Sequence, residues 1–197
     1  MKNINQTSCL LFTLFLLLMC NSFTINAQSI QFEETLKNKW TIEASKKISQ
    51  PGSVLSQNNF DDSKWYKTAV PATIMAALIA NGEYKDIFMG DNLNKVDTTQ
   101  FRSSWWYRNE FIIKDASKNT ELIFEGINYR ANIWLNGKKI ANADQIFGGF
   151  RIFTFNISKH LVNGKNTVAV EVIHQKKNEP SIGFVDWAPM APDLELG

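Results

Sequence analysis

Cysteine is almost missing from this chain: Cys9 and Cys20 are its only two, and both precede residue 28. Everything after them has to fold without a disulfide, on an apolar core that a domain of this size can supply. Histidine is equally scarce. His160 and His174 have no neighbouring ligand set, so a zinc site is excluded and both read as polar edge residues. Neither sign of charge dominates, because 21 basic residues stand against 19 acidic ones for a formal net charge of +2. That balance excludes the basic footprint of a nucleic-acid binder. The chain also lacks a Gly-rich phosphate loop and a Gly-x-Ser-x-Gly elbow, and no Cys nucleophile remains after residue 27. Asp, Glu and Tyr are present, but nothing in their spacing selects a general acid and a base.

Apolar runs long enough to span and stay in a bilayer are absent as well. The run from Leu10 to Met19 is too short for that, and Lys2 is the only charge before it. Ile25-Asn26-Ala27 then offers a small residue at a cleavage point before Gln28. Residues 1–27 are expected to be an export signal, leaving a soluble product in the periplasm or outside the cell. Lipid attachment at Cys20 is the alternative, disfavoured because Met19 is bulky where such sites take a small residue.

What is present is strand signal. Leu122 to Asn142 holds an apolar run (Leu122, Ile123, Phe124), a bend at Gly126, and an alternation that puts Tyr129, Ala131, Ile133 and Leu135 on one face. Asn136-Gly137 follows, the dipeptide that best accepts positive φ at both central positions of a type I′ turn, so the chain should return as a hairpin through Lys138 to Asn142. Trp40-Thr41-Ile42 reads as the first core strand and Ser49 to Asn59 as a loop. Ser104 to Ile113 is an aromatic and β-branched strand in which Trp105 and Trp106 point to opposite sides; a core position is the commoner case for such a Trp, and an outward-facing sugar platform is the alternative. Phe150, Ile152 and Thr154 alternate with Arg151, Phe153 and Phe155 in a further strand. After a turn at Ser158 to Val162 and another at Asn163 to Asn166, Val168, Val170 and Val172 share one face of the last.

One helix is predicted, from Thr73 to Ala80. Pro71 discourages helix before it, Thr73 caps it, Ile74, Ala77 and Leu78 share a face, and Asn81-Gly82 ends it. The polar stretch Glu83 to Thr99 shows neither period and reads as a long ordered loop over the sheet edge. Asp61 and Asp62 are adjacent in a turn and read as solvated caps rather than a catalytic pair. Asn156-Ile157-Ser158 has the form of a glycosylation acceptor but abuts a strand, so it reads as a chance match. Six to eight short strands, regular turns and one short helix describe an all-β chain, a jelly-roll β-sandwich over residues 28–177.

The final segment departs from that pattern. Residues 178–197 hold three prolines and no strand period, yet Phe184, Val185 and Trp187 lie closer together than a linker would place them. A carboxylate beside an indole, Asp186 beside Trp187, is a common pairing for a sugar, one group accepting hydroxyl hydrogens while the other covers an apolar face. A packed terminal loop explains the same residues equally well.

Several stretches together resemble the N-terminal sugar-binding domain of glycoside hydrolase family 2 enzymes, nearest to the β-mannosidase and exo-β-glucosaminidase branch. They are Trp65 to Thr73 (WYKTAVPAT), Gly90-Asp91-Asn92-Leu93, Ser104 to Phe111 (SWWYRNEF), Phe124 to Gly137 (FEGINYRANIWLNG) and Val185 to Asp193 (VDWAPMAPD), in family order across nearly the whole mature chain. Ala72 departs from the family's usual Gly and touches only a local turn. The resemblance implies a galactose-binding-domain-like sandwich at the front of a retaining exo-β-glycosidase, followed by an immunoglobulin-like domain and a TIM barrel that carries both catalytic glutamates. Such a barrel takes roughly 250 residues, so this chain is expected to hold no catalytic residue, no cofactor and no metal. Its partners would be a β-linked oligosaccharide or glycoside and those further domains, with residues 178–197 leading toward them. Carried over by motif, Asp186 would bind hydroxyls of the terminal sugar and Trp187 would shape the pocket wall. A stand-alone secreted carbohydrate-binding module is the competing expectation.

Overall fold

The computed structural model describes residues 32–148 and 150–174. The expected export signal and the segment from residue 175 onward, with Asp186 and Trp187, lie outside them. The sandwich belongs to the unit that begins at Leu36.

Among the described residues eight strands form: β1 (Trp40–Ala44), β2 (Tyr66–Thr68), β3 (Trp105–Ile113), β4 (Glu121–Phe124), β5 (Arg130–Leu135), β6 (Lys138–Ala141), β7 (Phe153–Asn156) and β8 (Gly164–Ile173). Six of them make one antiparallel sheet in the order β2-β1-β3-β8-β5-β6, and β4 pairs with β7 in a second. Ile42, Tyr107, Val170 and Ile133 are successive partners across the large sheet and share its inner face. Phe153, Leu122, Phe124 and Phe155 of the small sheet close over that face, with Ile157 and Leu161 filling the rim. The result is a β-sandwich whose stability comes from apolar side chains worth roughly 1.5–3 kcal/mol each when fully buried.

The outer face of the large sheet is covered too. A short helix, α1 (Gly52–Leu55), and the chain after it bring Leu55, Phe60 and Trp65 onto Trp106, Ala169 and Trp134. The Trp106 and Trp134 rings are 5.2 Å apart and tilted by 50°. Trp105 and Trp106 point to opposite sides and are only 1% and 5% exposed, so both are core residues and the outward-facing platform is not formed. Period two assigns side chains to faces; whether a face is covered depends on segments elsewhere in the chain. Ser49 to Asn59, read as loop, supplies that cover and contains α1.

The predicted helix is α2 (Ile74–Ala80). The Thr73 hydroxyl accepts from the Ala76 amide at 3.1 Å, Ile74, Met75, Ala77 and Leu78 are buried, and Gly82 follows at φ +82°. Thr73 satisfies one of the amides that a helix start leaves open. The Asn136-Gly137 turn takes φ +48° and +83°, both positive as a type I′ hairpin requires. The apolar run Leu122 to Phe124 forms β4 and, past the bend, pairs with β7 in the opposite layer rather than with β5. One expectation needs correction. The strand expected from Phe150 begins only at Phe153, because Phe150 and Ile152 have no sheet partner and stand exposed.

Candidate functional site

Ala44, Trp105, Val172 and Ala131 are partners across the large sheet, so the C-terminal ends of β1 and β8 and the N-terminal ends of β3 and β5 lie together. Phe124 and Phe153 pair at the same end of the small sheet, and Arg130 makes an isolated bridge to Phe147. This is the loop end of the sandwich. The turns at Asn136-Gly137 and Gly164 mark the opposite, turn end.

Three segments build the loop end. The first is the long polar stretch before β3, which is ordered, as expected. It contains 3-10 turns at Leu93–Lys95 and Thr98–Arg102 and is anchored by Ile87 and Phe101, buried in the cluster that holds α2 and Trp105. The Trp105 indole donates to the Gln100 carbonyl at 3.0 Å, and the Gln100 amide donates to the Tyr84 hydroxyl. The Asn92 side chain donates to the Asp86 carbonyl at 3.0 Å and accepts from Lys95 Nζ at 3.1 Å, which accounts for Asn92 of the GDNL stretch as a loop brace. Burial, reinforced by the negative charge of Asp97, raises the Tyr84 pKa. Side-chain and backbone hydrogen bonds from Thr99 lower that of Asp97. Tyr84, Lys85, Ile87, Asn92, Lys95 and Val96 line a hollow of about 180 Å³. Small-molecule pockets run to about 300–1,000 Å³, so this hollow is at most one wall of a site.

The second and third segments are residues 125–129 and 142–152. Guanidinium groups flank Phe147 here: Arg130 lies 5.8 Å and Arg151 4.9 Å from its ring centre, while Arg130 also sits over Tyr129 and Arg151 over Phe153. Arg151 also donates to the Phe147 carbonyl at 3.1 Å. Beside this stack, large apolar side chains project into water. Phe150 is 89% exposed and Ile152 69%; in the first loop Phe88 is 83% and Met89 68% exposed.

The turn end is chemically different. Asn166, fully buried, donates to the Val162 and Gly164 carbonyls at 2.8 and 3.0 Å and accepts from the Val162 amide at 2.9 Å and from Asn136 Nδ2 at 2.7 Å. Asn136 also donates to the His160 carbonyl at 2.8 Å and accepts from the Thr167 amide at 2.9 Å. The Gly137 amide donates to Ser56 Oγ at 2.9 Å. These polar groups satisfy one another and leave nothing for a ligand to complete. His160 serves this network through its backbone, and His174 is exposed at the end of β8. Among the described residues no group of three or more His, Cys, Asp and Glu side chains is placed to hold a metal ion.

Asp61 and Asp62 separate in role. Asp61 is the expected exposed cap, accepting from the Ser63 amide at 3.0 Å. Asp62 is not merely solvated, because it takes Arg108 Nη1 at 2.7 Å and the Thr41 hydroxyl at 2.7 Å. Arg108 is 2% exposed and spends its other donors on the Leu55 and Gln57 carbonyls and on Glu110. It fastens the 52–62 cover to the outer face, a structural task that pattern reading passed over. The available signal was a lone cation at an alternate position between Trp106 and Glu110. Burial opposes ionisation of Glu110, but hydrogen bonds from Lys165 and Arg108 outweigh it and hold its pKa below the usual range.

Comparison with known proteins gives this geometry a lineage. Residues 40–182 match the family described as glycosyl hydrolase 2 galactose-binding domain-like. The exo-β-D-glucosaminidases of Amycolatopsis orientalis and Streptomyces avermitilis are 35% and 30% identical to it over 80% of the chain, which spans only 15% and 18% of their lengths. In structure it resembles the exo-chitosanase of Amycolatopsis orientalis, with a TM-score of 0.75 and 33% identity over 84% of this chain and 20% of the other. The β-D-mannosidase of Dictyoglomus thermophilum follows at TM-score 0.56 and 30% identity, over 76% of this chain and 18% of that enzyme. With the sandwich in place and the match running from β1 past β8, the chain belongs to the galactose-binding-like domain family of the family 2 glycosyl hydrolases.

Proposed function

We propose that this chain is the non-catalytic N-terminal sugar-binding domain of an exported family 2 exo-β-glycosidase that removes terminal β-linked residues, glucosaminides first and mannosides second. The observation that carries the reading is the asymmetry of coverage: four-fifths of this chain aligns with the glucosaminidases, yet it makes up less than one-fifth of either. A domain of that share, with a small open hollow at its loop end, suits one wall of a shared pocket. In this reading Asp186 accepts hydrogen bonds from hydroxyls of the terminal sugar, Trp187 forms pocket wall, and the catalytic glutamates belong to a barrel elsewhere in the polypeptide.

The test has two arms. The purified 197-residue chain should leave an aryl β-glucosaminide and an aryl β-mannoside intact; turnover of either would overturn the non-catalytic assignment. In an enzyme carrying the catalytic domain, Asp186→Ala should lower kcat/KM by about 10²-fold, the scale set by losing charged hydrogen bonds of roughly 1.5–3 kcal/mol to a substrate. An unchanged kcat/KM removes Asp186 from the site. Micromolar binding of a chito- or manno-oligosaccharide by the isolated chain would favour a stand-alone carbohydrate-binding module.

A further inference from the structure

We propose that Asn163, at the Asn-Gly step that opens β8, is a self-modification site whose side-chain amide is hydrolysed through a cyclic imide, with water as the co-reactant. The sequence holds three Asn-Gly steps, at Asn81, Asn136 and Asn163. Such a step suits the reaction because a residue without Cβ lets its own backbone nitrogen come close to the preceding side chain. The Gly nitrogen attacks Asn Cγ, the new C–N bond closes a ring, and the Cγ–Nδ2 bond breaks. Ammonia departs with the proton that the Gly nitrogen gives up. Water then opens the imide at either carbonyl and leaves an aspartyl or an isoaspartyl link. Nothing is oxidised or reduced.

The three steps differ in what holds their reacting atoms. Asn81 Nδ2 donates to the Lys67 and Ala77 carbonyls at 2.8 and 2.7 Å, and the Gly82 amide donates to the Ile79 carbonyl at 2.9 Å. Asn136 Nδ2 donates to the His160 carbonyl and to Asn166 Oδ1, while the Gly137 amide is held by Ser56 Oγ. At both steps the leaving group and the nucleophile are committed, and those bonds have to break before the ring can close. Asn163 is exposed, and among the described residues its Nδ2 has no hydrogen-bond partner. Its Oδ1 accepts from the Ala116 amide at 2.7 Å. That donor polarises the carbonyl under attack and is in place for the oxyanion of the tetrahedral intermediate. Even a Cβ built on Gly164 would meet nothing within 4 Å, so no neighbour crowds the step. Conversion adds one negative charge at the turn end, and an isoaspartyl link lengthens the backbone just before Gly164 pairs with Ile113.

The test keeps the 197-residue chain folded in mildly alkaline water enriched in heavy oxygen and reads the label at each of the three asparagines by peptide mass spectrometry. Asn163 should take up label at least about tenfold faster than Asn81 or Asn136, the factor set by the hydrogen bonds those two must first give up. In denaturant the three rates should converge, which assigns the difference to the fold. Label appearing first at Asn81 or Asn136, equal rates in the folded chain, or a folded chain unlabelled at Asn163 while the denatured chain is labelled there would each overturn the proposal. Asn163→Ser gives a second readout. It should remove most of the isoaspartyl content that the folded chain gains on storage, measured with an isoaspartyl-specific methyltransferase, and an unchanged content counts against the assignment.

Discussion

The two ends of the sandwich are made of the same strands and differ in what their loops do with polar and apolar atoms. At the turn end, Asn136, Asn166, Thr167 and Ser56 hydrogen-bond to one another and to backbone. That end is finished: buried polar groups there have partners, and its tight turn has the residues its backbone requires. At the loop end, polar groups brace long segments while Phe88, Met89, Phe150 and Ile152 stand in water. The turn end is not free of exposed apolar side chains, since Ile112 and Val162 are 59% and 48% exposed, but the most exposed aromatic rings of the sandwich, Phe88 and Phe150, both stand at the loop end. The same division explains why polarity alone is a poor guide to the site here, since the most densely hydrogen-bonded residues are the structural ones.

If that contrast is right, substitutions at the turn end should cost stability and those at the loop end should not. Asn166→Ala removes four hydrogen bonds from a fully buried group. It should cost about 3 kcal/mol, a fall in Tm of roughly 6–12 °C, measurable by calorimetry; a change below about 1 kcal/mol would show that water replaces the network. Tyr107, on the core face that both ends share, sharpens the comparison from the middle. Burial pushes its pKa up to about 12 from an ordinary 10. A raised folded-state pKa means that its stabilising contribution is complete below pH 10 and is lost as pH rises from 10 to 12. Denaturant midpoints at pH 9 and 11.5 should therefore differ more in the natural chain than in Tyr107→Phe. Gly52 lies in α1, close to the turn end, where a Cβ would overlap the Trp134 indole. Gly52→Ala should cost about 1–3 kcal/mol, and a neutral result would mean that Trp134 can shift aside. Phe88→Ser and Phe150→Ser complete the series at the loop end, each expected within about 0.5 kcal/mol of the natural chain.

Local geometry was legible in the sequence wherever neighbouring residues decide it. Asn136-Gly137 and the Thr73 cap depend on backbone preferences within four residues, and the structure has both. Strand alternation was equally clear for Ala131, Ile133 and Leu135, whose neighbours on the other face are only half-buried, and for Val168 and Val170, although in β8 the intervening Ala169 is buried as well. What escaped depends on distant partners. Phe150 and Ile152 alternate like strand residues, but pairing starts at Phe153 because β4 ends at its partner Phe124. Arg108 reads as a surface cation until Leu55, Gln57 and Asp62 are brought over it from some fifty residues away. The resemblance in Ser104 to Phe111 is explained by that same environment: Trp105 and Trp106 fill two separate clusters, Arg108 holds the cover and Asn109 donates to the Asn38 carbonyl at 2.8 Å. Asp186 and Trp187, the residues on which the sugar reading rests, lie outside the described residues, and their test is the activity assay.

The position of β8 has a consequence for biosynthesis. It is the last of the described strands but sits between β3 and β5, so until residue 173 has been made these described strands of the large sheet form only two unconnected ribbons, β2-β1-β3 and β5-β6. Each ribbon presents an open edge with apolar residues on one face, the arrangement that recruits other nascent chains. A ribosome stalled short of β8 would thus hold a sticky, protease-sensitive intermediate. Closure of the sheet is a single late event, and because nearly all its pairings are long-range in sequence it should be slow compared with formation of the Asn136-Gly137 hairpin.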